Sequence, residues 1–339
     1  MSEKKMTSIG GQAVIEGIMM RGPEKTAVAV RKPDGEIVID ENENKKRGKT
    51  RKIPLIRGVF SFVDSMVIGV KALMFSANFY EEDGKPKEEN NNEKTSKKSK
   101  EENNDKKASK KSKENKKNKE KDTSNEEMPG WMMAITVLIS IGLSVGLFIV
   151  LPNLIAGFVV PNVEAENGGN VVLYNVVESV VKVVIFLTYL ILVSRMKDIQ
   201  RVFEYHGAEH KTIFCYENGE ELTVDNVKKF ERFHPRCGTS FLLFVIIISI
   251  IVFSVIGRFE SKIINLLVRI ALLPVVAGIS YEIIRFAGKH TDNKWFSWLN
   301  KPGMLLQRLT TREPDEKQIE VAILALKAVL PKDKNADNW

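Results

Sequence analysis

Hydrophobic positions along the chain are concentrated in four long segments, residues 131–160, 171–194, 241–257 and 263–284. Each segment is long enough for a helix to cross a bilayer, which takes about 17–25 residues. The last segment contains Arg269, and a charge inside a span is either functional or close enough to an end to reach the headgroups. The pattern predicts a mainly α-helical membrane protein with about four transmembrane helices, in two pairs.

Short apolar runs separated by turn residues predict that residues 1–53 are rich in β-strands. β-Branched runs on either side of the sequence PDG at positions 33–35 indicate a hairpin. Before it, the glycine-rich stretch GGQAVIEGIMMRG places Glu16 and Arg21 among apolar neighbours. These two residues are either an internal ion pair or further members of a functional site.

Residues 54–80 predict one helix with charged residues every seven positions, at Arg57, Asp64 and Lys71. This narrow polar stripe suits a helix on the membrane surface, one packed against the spans, or the core of a small soluble subdomain. Residues 81–128 then have almost no apolar side chains, with Lys nearly balanced by Asp and Glu. We expect a disordered, charged linker there.

The distribution of basic residues predicts the topology. Residues 161–170 contain no Lys or Arg, whereas basic residues follow the second and fourth spans. The positive-inside rule therefore places loop 195–240, the segment 285–339 and both termini in the cytoplasm, as part of a multi-pass protein of the cytoplasmic (inner) membrane. No apolar signal-peptide segment is visible at the N-terminus.

The cytoplasmic segments together predict a small α+β cap. Its last element is an amphipathic helix that begins near Pro314-Asp315, with an apolar face at Ile319, Ala322, Ile323, Leu326 and Val329. The formal net charge of +8 does not indicate nucleic acid, because basic residues beside spans account for it. The expected partners are the lipid bilayer and other membrane proteins.

Histidine and cysteine are concentrated in the loop between the second and third spans. Three of the four histidines and both cysteines lie within residues 206–237. His206 and His210 are four residues apart, so on a helix they face the same way and can share one ion. His234 and Cys237 follow a second predicted helix, which could return them to the first pair. Imidazole and thiolate favour a divalent metal, zinc above all.

Each of these side chains also has a structural interpretation. His206 and His210 could be polar residues whose hydrogen bonds are satisfied in a packed cap, and HPRC at 234–237 could simply be a helix terminus. Cys215 suits a small buried apolar position better than a ligand position, although it remains a possible additional ligand.

The sequence HGAEH at 206–210 resembles the H-x-x-E-H pattern of the inverzincin proteases. The resemblance implies that His206 and His210 bind zinc and that Glu209 is the general base for a bound water. A more distant glutamate is the third ligand in that family, and in this chain Glu282 likewise follows the motif, 72 residues after His210.

A second resemblance covers nearly the whole chain. The segments GGQAVIEGIMMRG, YHGAEHKTI, HPRCGTSF, ISYEIIRFAG and LQRLTTREPDEKQIEVAI look like those of the YqhQ family of bacterial membrane proteins, in the same order. That family is a domain of unknown function that is sometimes described as predicted metal-dependent enzymes. The resemblance implies a membrane location and a metal site, but no substrate.

Two functions follow from the candidate ligands. Three ligands with an open position would activate a water, with Glu209 as base, and this favours a metal-dependent hydrolase. Four ligands, His206, His210, His234 and Cys237, would instead close a structural site. The alternative function is therefore a non-enzymatic membrane scaffold, assembly factor or chaperone with a structural metal or none.

Overall fold

The computed structural model describes residues 6–44, 53–80, 130–161, 168–256, 261–289, 294–333 and 336–337. The predicted linker 81–128 lies outside these ranges. The chain divides into one compact unit of residues 1–87 with 145–339 and another of residues 88–144. Within the second unit, the described residues belong to helix α2, which runs from Gly130 to Val145.

The N-terminal segment forms the predicted β structure. Its four strands make an antiparallel sheet in the order β1-β2-β3-β4, with bounds Gly10–Val14, Gly17–Arg21, Lys25–Arg31 and Ile37–Glu43. The β3–β4 hairpin turns at the predicted PDG sequence, where Gly35 adopts a φ of 94° that glycine accommodates without strain. The β1–β2 turn contains Glu16 at a φ of 48°, which is unusual for a residue with a side chain.

The other described elements are helical. They are α1 (Ile56–Ala77), α3 (Leu151–Val159, directly after a π-helical turn at Gly146–Val150), α4 (Gly168–Val193), α5 (Lys197–Glu217), α6 (Val224–Lys228), α7 (Gly238–Ile256), α8 (Lys262–Lys289), α9 (Lys294–Thr310) and α10 (Glu316–Val329). A small antiparallel sheet in a mainly α-helical chain agrees with the predicted fold class.

Five segments of the described helices are long and apolar enough to cross a membrane: Ile56–Ala77, Leu138–Val159, Val171–Val193, Gly238–Ile256 and Ile263–Phe286. The chain therefore has the composition of a multi-pass membrane protein. Four of the segments coincide with the predicted spans. The fifth is α1, which the sequence predicted as an amphipathic helix. It qualifies as a possible span because it has only three charged residues and its other positions are mostly apolar.

The sheet packs against α5 and α10 to form the core of a cap, which we define as β1–β4, α5, α6 and α10. Helix α10 begins at a capping box, in which the side chains of Asp315 and Gln318 each accept a hydrogen bond from the other's backbone N–H. All positions of its predicted apolar face are buried: Ile319, Ala322, Ile323, Leu326 and Val329.

A network of charges is buried between α4 and α8. Arg269 donates from both terminal nitrogens to the Glu178 carboxylate, and Lys182 Nζ lies 2.9 Å from Glu178 Oε1. Both cations lie 5.4 Å from the centre of the Phe253 ring on α7. Arg269 is thus held inside the bundle, in a network of two positive charges and one negative charge.

This imbalance predicts unequal effects for two neutralising substitutions. Glu178→Gln leaves two buried like charges, whereas Arg269→Gln leaves the neutral Glu178–Lys182 pair. An uncompensated buried charge costs about 3–5 kcal/mol, so Glu178→Gln should lower the melting temperature in detergent more than Arg269→Gln. An equal or larger loss in Arg269→Gln would contradict this account of the network.

Candidate metal centre

Helix α5 carries the HGAEH sequence in an unbroken helical segment. Gly207, which could have weakened the helix, is instead required by its packing. A Cβ at this position would lie 2.0 Å from the carbonyl oxygen of Arg312, in the segment between α9 and α10. Arg312 N also donates to the Phe203 carbonyl. The close approach brings the chain after α9 against the face of α5 that bears His206.

Both histidines of α5 are oriented by backbone carbonyls. His206 Nδ1 donates to the Thr310 carbonyl at 2.8 Å, and His210 Nδ1 donates to the Arg232 carbonyl. A carbonyl only accepts, so each Nδ1 carries the proton. Each ring thus presents its Nε2 to the site, and this is how metal-ligating histidines are commonly held.

Cys237 completes a group of three potential ligand atoms. Its Sγ lies 3.1 Å from His206 Nε2, and the ligand atoms of His206, His210 and Cys237 all lie within 4.8 Å of one another. His210 Nε2 is buried and has no hydrogen-bond partner among the described residues. The structure thus brings together three of the four predicted ligands.

The histidines also determine the charge state of the sulfur. Burial alone would raise the pKa of the Cys237 thiol, but His206 and His210 outweigh it and hold that pKa well below its ordinary value. Thr239 N, in the first turn of α7, points at the sulfur from 3.4 Å. Burial opposes a charge on His206, but the Cys237 thiolate raises the pKa of that imidazole to about 9. The two histidines therefore favour a thiolate at Cys237, the form of cysteine that binds metals.

Glu209 lies beside the same three residues and is itself buried. Its Oε1 accepts a hydrogen bond of 2.8 Å from the backbone N–H of Gly11 in β1. Burial raises its pKa above the ordinary carboxyl value, although His210 and His206 act in the opposite direction. The carboxyl group is therefore poised for proton exchange at a higher pH than an exposed glutamate.

His234 lies next to the group without joining it. Its Nδ1 accepts from Arg236 N at 3.3 Å, and its Nε2 lies 3.6 Å from a carboxylate oxygen of Glu217. Burial lowers its pKa to about 4, so the ring is neutral at neutral pH. The Gln307 side chain bonds both the N–H and the carbonyl of His234, which fixes its backbone.

A buried polar network behind the site was not identified from the sequence. Arg236 pairs with Glu217, and the same carboxylate accepts from Thr7 N at 2.8 Å. Thr7 Oγ1 in turn donates to Asp337 at 2.7 Å. Because Arg236 directly precedes Cys237, this network fixes the turn that presents the sulfur. Arg236 lies within the motif HPRCGTSF, and that membership was the one sequence signal for it.

The remaining candidates of the sequence analysis have other partners. Cys215 is buried in the cap core, with Sγ 3.5 Å from the Glu221 carbonyl. The Glu16 carboxylate bonds Arg201 and the Tyr205 hydroxyl, while Arg21 lies 3.9 Å from Asp64. Glu282 on α8 pairs with Arg57, so Cys237, rather than Glu282, stands beside the two histidines.

Comparison with known proteins places this site in a family. A family model described as "Protein of unknown function (DUF1385)" matches residues 53–332. The chain belongs to this family. It is also similar to the uncharacterized protein YqhQ of Bacillus subtilis (strain 168), with 33% identity over 334 residues, 97% of this chain and 95% of that protein. No solved structure matches the chain.

Gly11 provides a test of how the strand supports Glu209. A Cβ on Gly11 would lie 2.6 Å from the Met19 carbonyl oxygen and 3.0 Å from Glu209 Cδ, whereas one on Gly10 meets nothing within 4 Å. We expect Gly11→Ala to cost about 1–3 kcal/mol of stability through overpacking, and Gly10→Ala to stay within about 0.5 kcal/mol. Denaturant unfolding in detergent measures both, and equal effects of the two substitutions would contradict this packing.

Proposed function

We propose that this chain is a metal-dependent hydrolase whose zinc centre is held by His206, His210 and Cys237 in the cap of a multi-pass membrane protein. The observation that carries the proposal is the orientation of the histidines. Two Nδ1–H groups are fixed on carbonyls, and a buried His210 Nε2 is left without a partner beside a cysteine sulfur. Such an orphaned buried acceptor is costly unless something binds it.

The donor set suits zinc. Two imidazole nitrogens and one thiolate are borderline-soft ligands, which zinc prefers to the oxygen ligands used by magnesium and calcium. Zinc–nitrogen distances of about 2.0–2.1 Å and zinc–sulfur distances of about 2.3 Å place tetrahedral ligand atoms roughly 3.3–3.7 Å apart. The separations here, none above 4.8 Å, need only small side-chain adjustments to reach this geometry.

A three-ligand group favours catalysis over a closed structural site. Zinc sites with three protein ligands keep a fourth position for water or substrate, and the ion supplies Lewis acidity that makes such a water more acidic. His234, the fourth predicted ligand, has both ring nitrogens directed at other partners.

Glu209 is the group on this chain best placed to move a proton. It follows His206 by three residues on α5, is buried against the cluster and is anchored by Gly11 N–H. Its raised pKa allows it to accept a proton from a water at the site and return it to a leaving group. His206 is the least buried of the three ligands.

A membrane location of the cap supports a membrane-associated substrate. We expect the cap to lie in the cytoplasm, because basic residues follow α4 and α8 and the positive-inside rule favours that side. Both cysteines are free thiols, as expected for a reducing compartment. A cleft of about 870 Å³ is lined by Gly11 of β1, by Ser61 and Ser65 of α1 and by Tyr281 of α8. It reaches from the spans to the strand that holds Glu209.

Metal analysis of the purified protein tests the centre directly. The wild type should carry about one zinc per chain, and His206→Gln, His210→Gln and Cys237→Ser should each lose most of it, because each removes one of three ligands. Cys215→Ser removes the other buried thiol, and His234→Gln removes the neighbouring imidazole. Both of these variants should keep the metal.

Two results would contradict the proposed centre. A wild type without bound metal after purification in the absence of chelators removes the hydrolase proposal and favours the scaffold or assembly function. Loss of metal in His234→Gln, with the fold retained, points instead to a closed four-ligand site.

Glu209→Gln separates catalysis from structure. The substitution should leave zinc content unchanged and lower any hydrolysis of lipid-like esters, amides or phosphoesters by about 10²–10⁴-fold, the usual effect of a lost general base. Loss of zinc in parallel with activity would show that Glu209 supports the ligands and does not act on water.

A further inference from the structure

Helix α1 has two faces of different character. Small residues face the protein: Gly58, Gly69, Ala72 and Ser76 are buried. Large apolar residues recur at alternating spacings of four and three on the outer face, and we call these six residues the outer stripe: Ile56, Phe60, Val63, Val67, Val70 and Met74. They are between 42 and 53% exposed, so the described part of the protein leaves about half of each residue uncovered.

The start of α1 lies against the cap-side halves of two spans, α7 and α8. Gly58 is so close to Gly278 of α8 that a Cβ would lie 3.0 Å from its backbone. Phe62 packs against Phe241, with ring centres 5.8 Å apart. Phe241 follows Cys237 in the first turn of α7, which places this contact next to the cap.

The end of α1 lies on the cap itself. Phe75 and Phe79 pack against the apolar side of the sheet, and the Tyr80 hydroxyl donates to the carbonyl of Arg31 in β3. Ser76 Oγ accepts from Ile15 N in the β1–β2 turn. Both ends of the helix therefore lie on the cap side of the midpoints of the spans.

This geometry is incompatible with a crossing. A helix of 22 residues is about 33 Å long, so a crossing α1 would have one end about 30 Å from the cap. We propose that α1 is not a fifth span but an in-plane helix, with the outer stripe inserted in the acyl region of the leaflet that faces the cap.

Lipid is the occupant that the surroundings of the outer stripe favour. The stripe adjoins the spans α7 and α8, whose own exposed apolar residues, such as Leu242 and Ile270, require lipid around them. A helix that lies in the membrane plane buries its apolar face roughly 5–10 Å deep, at the boundary between the headgroups and the acyl chains. Lys71 is exposed near the end of the helix and can extend its charge to the headgroups.

Sidedness of labelling tests whether α1 crosses. The full chain with Cys215→Ala is reconstituted in vesicles of phosphatidylethanolamine and phosphatidylglycerol, and single cysteines are introduced by Leu55→Cys, Asn78→Cys and, as a cap reference, Lys327→Cys. A membrane-impermeant maleimide should label all three from the same side above the background of the parent protein. Labelling of Leu55→Cys and Asn78→Cys from opposite sides would overturn the proposal.

Spin labels at Val63→Cys and Val67→Cys identify what covers the outer stripe. Lipid contact predicts high accessibility to oxygen and low accessibility to a water-soluble nickel complex. High accessibility to the nickel complex would place the stripe in water, and low accessibility to both reagents with spin–spin broadening would place it against a second copy of the chain. Either result contradicts insertion in the leaflet.

Discussion

Two hydrogen bonds from imidazole to backbone, His206 to Thr310 and His210 to Arg232, are the constraint on which the site depends. They fix the tautomer of each ring and turn each Nε2 toward Cys237. The carbonyls come from two separate segments, one at the C-terminus of α9 and one between α6 and α7. Three parts of the chain must therefore pack together before both histidines point toward Cys237. Gly207 permits this packing, because it lets the backbone at Arg312 approach α5 closely.

The sequence predicted the elements of the cap better than their contacts. Four-residue spacing placed His206 and His210 on one helical face, and the apolar periodicity near the C-terminus predicted the buried face of α10. The three-residue spacing of His234 and Cys237 suggested two ligands, but the structure separates them. Arg236 pairs with Glu217 between them, and that pairing turns the imidazole away from the sulfur. Such contacts join residues far apart in sequence and leave no local periodicity.

In the membrane-spanning part, too, the sequence predicted the helices but not the contacts between them. Apolar runs predicted the four spans, and Arg269 stood out as a charge within one of them. Its partner Glu178 lies on a different helix, and composition gives no indication of which spans are neighbours. Helix α1 is a case in which the apolar pattern predicts too much, since its length and hydropathy alone are those of a span. Only the positions of its two ends distinguish a helix on the membrane from one through it.

The contact between Gly11 and Glu209 has a consequence for biosynthesis. Gly11 and the H-x-x-E-H helix precede the last two spans along the chain, whereas the carbonyl of Thr310 follows them. The nascent chain therefore has its H-x-x-E-H helix long before it has the groups that orient it. Under the proposed function, an ion captured before the last span is inserted would meet imidazoles that lack their carbonyl partners, so selective loading is expected to follow insertion.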